Sequence, residues 1–302
     1  MYLNLLEYNI MNKKQIIEIA IGDQPKSKKQ KGFTLIELSI VLVIIGLIVG
    51  GILVGQDLIK AAEIRATVAQ IEKYNSAVNT FRTKFNGLPG DLDVNKATAF
   101  GLYSAAGSAG RGDNNGLIDG IVAGTSAQYA WCQECGIFWY HLSQANLIDG
   151  NLAVYAWDAA SPVAVASASL PSTFPIAKLG RGNYVAAGSA SGFNYFWITG
   201  VNSGLATGGL VSSPNITPIE AYNMDIKLDD GNPQTGVVQV HGTGTISATS
   251  SSLTGFTDNT SASAASVAGY CDVGSNVSSD TYNRSITSGG STQACSVRFR
   301  FN

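Results

Sequence analysis

The longest apolar run of the chain extends from Phe33 to Gly55 and contains a single charged residue, Glu37. The run is about 23 residues long, and roughly 20 apolar residues are enough for a helix to cross the hydrocarbon core of a membrane. The pattern therefore predicts one membrane span. Lysines precede it at positions 26, 28, 29 and 31. The positive-inside rule then keeps the N-terminal side in the cytoplasm and exports everything after Gly55.

Beyond Gly55 the apolar positions take a helical spacing. Steps of three or four residues connect Ile64, Val68, Ile71, Tyr74, Val78, Phe81 and Phe85. Such a stripe is typical of an amphipathic helix, and Gly87 and Pro89 end the pattern. The sequence therefore predicts one helix from about Thr34 to about Phe85, about 78 Å long at 1.5 Å per residue.

The rest of the chain alternates short apolar segments with turn residues, a pattern that predicts strands. The predicted strands are Tyr184–Ala187, Phe193–Thr199, Val237–Val240 and Ser296–Phe301. Residues 134–146 predict a short helix that buries Ile137, Phe138 and Leu142, and the low-complexity residues 242–268 predict a loop. The fold class that follows is α+β, with a long N-terminal helix packed on an antiparallel sheet.

Composition and charge exclude some classes of protein. With 45% hydrophobic and 13% charged residues, the chain is too apolar for full disorder. Residues 1–32 hold six lysines and three acids. The remaining 270 residues keep 13 of the 19 basic and 18 of the 21 acidic side chains, a formal net charge of −5. An acidic head argues against nucleic-acid binding, which needs clustered Lys and Arg. His141 lies among aromatic residues and is expected to be packed and hydrogen-bonded, since no base or nucleophile accompanies it.

Two ordinary interpretations of the apolar run stay open. The first is a secretory signal peptide, which would be removed after the run. The apolar region of a signal peptide is usually 7–15 residues long and is followed by small residues at a cleavage site, whereas this run has about 23 residues. An uncleaved membrane anchor fits the length. It would leave Glu37 without a purpose, although a carboxylate near the cytoplasmic end costs less than one at the membrane centre.

A third interpretation is a family resemblance. The segment Lys31-Gly32-Phe33-Thr34-Leu35-Ile36-Glu37, followed by an apolar helix, resembles the signature of prepilins, the precursors of type IV pilins and type II secretion pseudopilins. The resemblance implies that a membrane peptidase cuts after Gly32, that Phe33 becomes the N-methylated mature N-terminus, and that the apolar helix is retained. It also implies a role for Glu37 in assembly, because a carboxylate at membrane depth needs a partner such as the Phe33 amine of a neighbouring subunit.

The resemblance also implies a division of the chain and a pilin-like head. Residues 1–32 would be the leader, with translation expected to begin at Met11; residues 33–55 would be the transmembrane polymerisation segment. Residues 56–87 would form the amphipathic stalk helix, and residues 88–302 the exported head. Many pilins carry a proline within this helix, and this sequence departs from the family because it has none there. Its glycines would weaken the helix instead, at Gly46, Gly50, Gly51 and Gly55.

The function implied is that of a non-enzymatic filament subunit, a minor or large pilin or pseudopilin of a type IV pilus or a type II secretion pseudopilus. Its partners would be the prepilin peptidase and N-methyltransferase, other pilin or pseudopilin subunits, the inner-membrane assembly platform and the membrane. The protein would first lie in the bacterial inner membrane with its head in the periplasm, then in the filament, which reaches the cell surface in a pilus. The alternative is a pilus-borne adhesin or DNA-uptake module, which exposed Trp139 or Trp197 would favour.

Two acidic turns are candidates for calcium, and no cofactor is required. Asp113, Asn115 and Asp119 match the middle of an EF-hand loop, in which Ca²⁺ takes six to eight oxygens. Arg111 and Val122 replace its first and last ligands, so a plain turn is the alternative. The second turn is expected over Asp225–Pro233, where Asp229 and Asp230 crowd carboxylates together. This run is similar to segments of pilin-like heads, and some pseudopilins hold calcium in a C-terminal loop; a plain turn before a strand is the alternative.

All four cysteines follow the predicted span, and an oxidising compartment favours disulfides. By resemblance to many type IV pilins, Cys271 and Cys295 would form a disulfide that closes the C-terminal region. Cys132 and Cys135 form a C-x-x-C pair that can close on itself or pair with the other two cysteines. A redox pair and half of a zinc site are further alternatives for this motif.

Overall fold

A computed structural model of the chain describes residues 32–103, 112–118, 134–154, 169–190, 192–203, 209–212, 215–241, 246–247, 271–273, 281–282, 284 and 295–301. The described residues separate into two compact units, the first ending at Gln56 and the second beginning at Asp57. The helices are α1 (Leu35–Phe85), α2 (Val94–Ala99), α3 (Glu134–Gln144), α4 (Leu170–Thr173) and α5 (Pro218–Leu228). The strands are β1 (Asn183–Ala190), β2 (Phe193–Ser203), β3 (Gly209–Ser212), β4 (Val238–His241), β5 (Ile246–Ser247), β6 (Asp272–Val273), β7 (Thr281–Tyr282) and β8 (Ser296–Phe301).

In the first unit, the apolar side chains of α1, and of Phe33 just before it, are exposed. Phe33, Leu35 and Leu47 expose 83%, 87% and 73% of their surface. The helix is long and apolar enough to cross a membrane, with a mean hydropathy of 2.9 over its most apolar window. Such a surface is unfavourable in water, so it requires lipid or other apolar helices around it.

In the second unit, the other half of α1 has the buried stripe that its spacing predicts. Ile64, Ile71, Tyr74, Val78, Phe81 and Phe85 are all buried, and Val68 is partly buried against the same core. The helix ends at Phe85, because the chain turns at Asn86, where φ is +52°, and then reaches Gly87 and Pro89. The predicted single helix is confirmed within one residue at its start.

The described residues of the head form a six-stranded antiparallel sheet in which β1, β2, β8 and β4 lie side by side. Strand β3 pairs with the C-terminal end of β2, and β5 pairs with β3. A two-stranded sheet, β6 and β7, stands apart from it. One face of the large sheet carries Phe196, which pairs with Phe299 of β8. Phe196 packs 6.2 Å from Tyr74 of α1 and 5.8 Å from Trp139 of α3. The α+β architecture, a long helix against an antiparallel sheet, is therefore confirmed.

Arginines occupy the opposite face of this sheet. Arg298 and Arg300 are partly exposed and alternate with the buried Val297, Phe299 and Phe301, as the sequence predicts for a strand with one solvent-facing side. Arg298 lies over the ring of Tyr195 at 4.7 Å, and Arg300 over the ring of Phe193 at 5.0 Å. These cation–π contacts hold the guanidinium groups against the aromatic side chains of β2.

Helix α3 confirms the predicted helix and its buried face. Ile137, Phe138 and Leu142 are at most 5% exposed, and Asn146 takes a positive φ just beyond the C-terminus of the helix. Trp139 and Trp197 are 1% and 0% exposed. Neither tryptophan therefore offers a binding surface of the kind that would favour an adhesin.

His141 of α3 is a buried structural residue. Its Nδ1 accepts a hydrogen bond of 3.0 Å from Gly90 N, so its Nε2 carries the proton and donates to Tyr103 O at 2.7 Å. Gly90 must be glycine, because its φ is +87° and an added Cβ would lie 2.4 Å from Glu134 O. The histidine thus joins the loop that follows α1 to α3, and burial lowers its pKa to about 4.

The second unit also contains a disulfide between Cys271 and Cys295, which are 24 residues apart and fully buried. Tyr282 lies inside the closed loop, and its hydroxyl donates to Asp225 Oδ2 at 2.7 Å. Cys295 N also donates to Ile216 O, so the disulfide is attached to the segment that leads into α5. The residues 242–245 and 248–268, most of the low-complexity segment, lie outside the described residues.

We expect the stability of the head to depend on His141 between pH 4 and pH 6.5. Over this range the unfolded chain binds a proton that the folded His141 does not, so the free energy of unfolding of the wild type rises with pH by up to about 3 kcal/mol from this group. His141→Gln removes this contribution. Urea unfolding of both proteins, followed by tryptophan fluorescence, should give a stability difference that shrinks as the pH falls from 6.5 to 4. Parallel pH curves would contradict the assignment.

The disulfide should stabilise the head by about 3 kcal/mol, by the chain-entropy relation for a loop of this length. We expect the double variant Cys271→Ala/Cys295→Ala to unfold with a correspondingly lower free energy, and alanine avoids burying a hydroxyl group. The control is the same pair of proteins in a strong thiol reductant. There the difference should nearly vanish, and a difference of equal size in the reductant would show that lost packing is responsible.

Candidate processing and assembly site

The predicted cleavage point lies just before the first turn of α1. Gly32, Phe33 and Thr34 precede the helix without regular structure, and helical residues begin at Leu35. An added Cβ at Gly32 would meet no atom within 4 Å. The conformation of the chain itself therefore does not require glycine at this position.

Thr34 and Glu37 form a reciprocal capping arrangement at the start of α1. The backbone N–H and the hydroxyl of Thr34 both donate to Glu37 Oε2 at 2.8 Å, and Glu37 N donates to Thr34 Oγ1 at 3.2 Å. This is a capping box, in which the N-cap residue and the residue three positions later satisfy each other's free donors. The sequence-based prediction for Glu37 was a role between subunits only. The Thr-x-x-Glu spacing also indicates this capping box, and it was missed.

The carboxylate of Glu37 is thus held within one turn of the residue that would become the N-terminus. It is fully on the surface of the isolated chain, since the surrounding residues of α1 are all exposed. In the apolar interior of a membrane, such a carboxylate needs a cation or several donors. The geometry leaves Glu37 Oε1 facing no donor among the described residues, so the group retains capacity for a partner.

The first calcium candidate is only partly described. Asp113 and Asn115 lie in a turn at 112–118, and Asp119 lies outside the described residues. The structure brings two residues that sequence analysis missed, Asp91 and Glu134, to Asp113. One carboxylate oxygen of each of these three residues lies within 4.8 Å of the others. Neighbouring members of this set are more than 20 positions apart in the sequence and meet only in the folded chain, so no local motif indicated the cluster.

Asp91 has a structural task in this turn. Its Oδ1 accepts from Asn115 N at 3.1 Å, its Oδ2 accepts from Gly116 N at 2.9 Å, and its side chain is buried. Burial raises the pKa of Asp91 to about 7, against the opposing effect of the Gly116 N–H bond. The oxygens suit Ca²⁺ by type, but they also organise the turn without an ion. Calcium at Asp113 and Asn115 stays a prediction.

The second candidate set consists of Asp225, Asp229 and Asp230, which also bring one oxygen each within 4.8 Å. Asp229 Oδ2 accepts from the N–H groups of Val237 and Val238, and Asp230 Oδ2 accepts from Thr235 Oγ1 at 2.7 Å. These bonds close the turn between α5 and β4. Burial, and less strongly the nearby charges of Asp229 and Asp230, raise the pKa of Asp225 to about 6.

Helix α5 corrects one expectation about this region. The sequence from Asp225 onward was expected to be a turn before a strand, whereas residues up to Leu228 are helical and the turn begins at Asp229. The missed signal lies upstream. Thr217 and Glu220 form a capping box at the start of α5, and Pro218 occupies its first turn.

Of the C-x-x-C pair, the structure describes one member. Cys135 lies in the first turn of α3 and is 5% exposed, and Cys132 lies outside the described residues. The pairing of this motif, and its redox and zinc alternatives, are therefore untested. The disulfide that the family resemblance implies, between Cys271 and Cys295, is present.

Comparison with known proteins supports the N-terminal site. The model of the prokaryotic N-terminal methylation motif matches residues 27–53, which include Gly32, Phe33 and Glu37. Comparisons with the curated proteins and with the solved structures give no match. The match covers the N-terminal segment and leaves the head outside it. Through residues 27–53, which lead into a long apolar helix and an α+β head, the chain carries the signature of the type IV pilin and type II secretion pseudopilin family.

Proposed function

We propose that the protein is a structural subunit of a type IV pilus or a type II secretion pseudopilus, processed after Gly32 and assembled through its N-terminal helix. The observation that supports this most strongly is the methylation motif at residues 27–53 on a helix whose apolar side chains the protein leaves exposed. In a filament outside the membrane, the same surface of other copies would have to cover these side chains in place of lipid.

The size of the chain after Gly32, 270 residues, favours a minor or unusually large subunit. Before assembly the helix would anchor the protein in the bacterial inner membrane, with the head in the periplasm. A prepilin peptidase and N-methyltransferase would act on the cytoplasmic side, at Gly32 and Phe33. Assembly would then require the inner-membrane platform and other pilin or pseudopilin subunits.

Glu37 would act in assembly by pairing with the free amine of Phe33 in a neighbouring subunit. The capping box supports this role, because it fixes the carboxylate at the depth of the helix start without neutralising it. A neighbour displaced along the helix axis would leave both charges unpaired in apolar surroundings, which is costly. The pair would therefore select one register between subunits.

The first test is the mature N-terminus. We expect mass spectrometry of the protein from its native membrane to show a chain that begins with N-methylated Phe33. Gly32→Ala should leave the precursor uncleaved. The chain itself has room for the added methyl group, so the requirement for glycine would come from the active site of the peptidase. Gly50→Ala is the matched control, since a Cβ at either position meets no atom within 4 Å. Normal processing of Gly32→Ala, or a chain that begins downstream of Gly55, would contradict the proposal.

The second test separates the charge of Glu37 from its capping role. Glu37→Gln removes the charge and preserves a capping box, because glutamine also serves at this position. Thr34→Ala removes the capping hydroxyl and preserves the charge. We expect both variants to be cleaved, and Glu37→Gln alone to enter sheared filaments at least about tenfold less than the wild type, as expected for a buried amine left unpaired. Normal incorporation of Glu37→Gln would exclude charge pairing.

A further inference from the structure

The sequence contains two Asn-Gly pairs, Asn86-Gly87 and Asn115-Gly116. Asparagine followed by glycine is especially prone to deamidation, because glycine has no side chain to hinder the attack of its own backbone nitrogen on the asparagine carboxamide. The reaction requires that this nitrogen be free and that the carboxamide and the nitrogen can rotate towards each other. The two pairs differ in both respects.

The pair Asn115-Gly116 is held at both reacting groups. Gly116 N donates to Asp91 Oδ2 at 2.9 Å, so the attacking nitrogen is engaged. The carboxamide of Asn115 accepts from Leu117 N at 2.7 Å and donates to Asp113 Oδ2 at 3.1 Å. Attack would have to break these hydrogen bonds first, and their loss costs free energy.

The pair Asn86-Gly87 is held at neither group. The side chain of Asn86 is exposed and makes no hydrogen bond with any described residue, and Gly87 N donates to none of them. Asn86 has a φ of +52°, a left-handed conformation that asparagine tolerates at the end of a helix. Rotation that brings the Gly87 nitrogen to the carboxamide therefore breaks no hydrogen bond of either group.

The turn after α1 itself requires such a pair. A Cβ at Gly87 would lie 2.5 Å from Leu92 Cδ2 and 3.0 Å from Asn114 Oδ1, so any other residue would have to displace the buried Leu92 side chain. Position 86 lies in the left-handed region, which favours glycine or asparagine. The end of α1 thus combines asparagine and glycine for structural reasons, and the combination is chemically labile.

We propose that Asn86 is a site of spontaneous deamidation and that hydrogen bonds protect Asn115 from the same reaction. The Gly87 nitrogen loses its proton and attacks Asn86 Cγ. The new C–N bond closes a succinimide ring, and the Cγ–Nδ2 bond breaks to release ammonia. Water then opens the ring at either carbonyl and leaves aspartate or isoaspartate at position 86. The sum is the hydrolysis of one carboxamide by one water molecule, without oxidation or reduction.

Cationic side chains near Asn86 stabilise the product. Lys96 Nζ lies 3.4 Å from Asn86 O, the oxygen that belongs to the free carboxylate in isoaspartate. Arg82, one helical turn before, takes part in no salt bridge among the described residues. It lines a surface pocket of about 530 Å³ together with Asn86 and Phe193. These positive charges offset the unfavourable position of a new carboxylate at the carbonyl end of α1.

The reaction does not depend on filament assembly, because all the groups involved belong to the second unit of a single chain. Failure of one proposal therefore leaves the other standing. Since the release of ammonia is irreversible, the converted fraction rises with the age of the protein. Each conversion adds one negative charge to the head beside the pocket.

The test follows both pairs in the full chain, purified in detergent and incubated at mildly acidic and at mildly basic pH. Mass spectrometry measures the gain in mass when OH replaces NH₂, in the tryptic peptide 85–96 and in the chymotryptic peptide 104–117, and fragmentation assigns the residue. We expect Asn86 to convert about tenfold faster than Asn115 or faster still, as for the breaking of one hydrogen bond. Conversion should be faster at basic pH, because the attacking nitrogen must lose a proton.

Two variants and one change of solvent complete the design. Asn86→Gly keeps the positive φ and removes the carboxamide, so aged samples should lose the acidic species that isoelectric focusing detects in the wild type. Asn146→Gly is the matched control and should keep this species. Asn146 is also exposed, with a φ of +55° at the end of α3, but the next residue is Leu147, whose N–H donates to Leu142 O at 3.0 Å. In urea, where the protecting bonds are lost, Asn115 should convert about as fast as Asn86.

Three results would each overturn the proposal. The first is the absence of a gain in mass at Asn86 in the folded wild type, or a gain no faster than that at Asn115. The second is an undiminished acidic species in aged Asn86→Gly. The third is a difference between the two pairs that persists in urea, which would assign the selectivity to neighbours in the sequence and not to the hydrogen bonds of the fold.

Discussion

The apolar surface that α1 presents before Gly55 is the constraint on which the rest of the protein depends. The two halves of this helix differ in whether their apolar side chains are buried within the protein. From Ile64 onward its apolar stripe is buried, whereas residues such as Leu35 and Leu47 are not covered by any part of the chain that the structure describes. Water cannot solvate that surface at low cost, so the protein requires a membrane or other copies of the same helix. The methylation motif at residues 27–53 overlaps this uncovered half of the helix.

The head stabilises its irregular segments with buried polar groups. Asp91 holds the turn at residues 112–118, His141 holds the loop after α1, and Asp229 closes the turn before β4. Each of these side chains bonds to backbone groups that no strand or helix satisfies, and an unsatisfied buried backbone group is costly. The acidic character of the head thus has a structural use that is independent of any ion. Calcium at the two acidic turns stays a prediction beside this structural use.

Periodic features were predictable from the sequence, and features made by distant residues were not. The stripe from Ile64 to Phe85 and the alternation of Ser296–Phe301 are properties of one segment, so α1 and β8 followed from local spacing. The cluster of Asp91 with Glu134, and the pocket that Asn86 shares with Phe193, arise only when segments distant in sequence pack together. At the N-terminus the motif identified Gly32 and Glu37, because both lie in one short segment. Helix α5 was missed although its capping box at Thr217 is local, because the acidic residues at its C-terminal end also fit a turn.

The capping box at the start of α1 involves only residues that follow the Gly32–Phe33 bond. Removal of a leader would therefore require no rewinding, since the precursor already has the first helical turn of the product. It would, however, create an ammonium group beside the positive end of a helix macrodipole, an unfavourable position by about 0.3–1 kcal/mol. The new chain end would thus be electrostatically frustrated on its own helix, apart from any offset by the Glu37 carboxylate of the same chain, which Thr34 already engages. An acidic side chain from an adjacent molecule would relieve that frustration, so proteolysis itself would convert a stable membrane protein into one with a reason to associate.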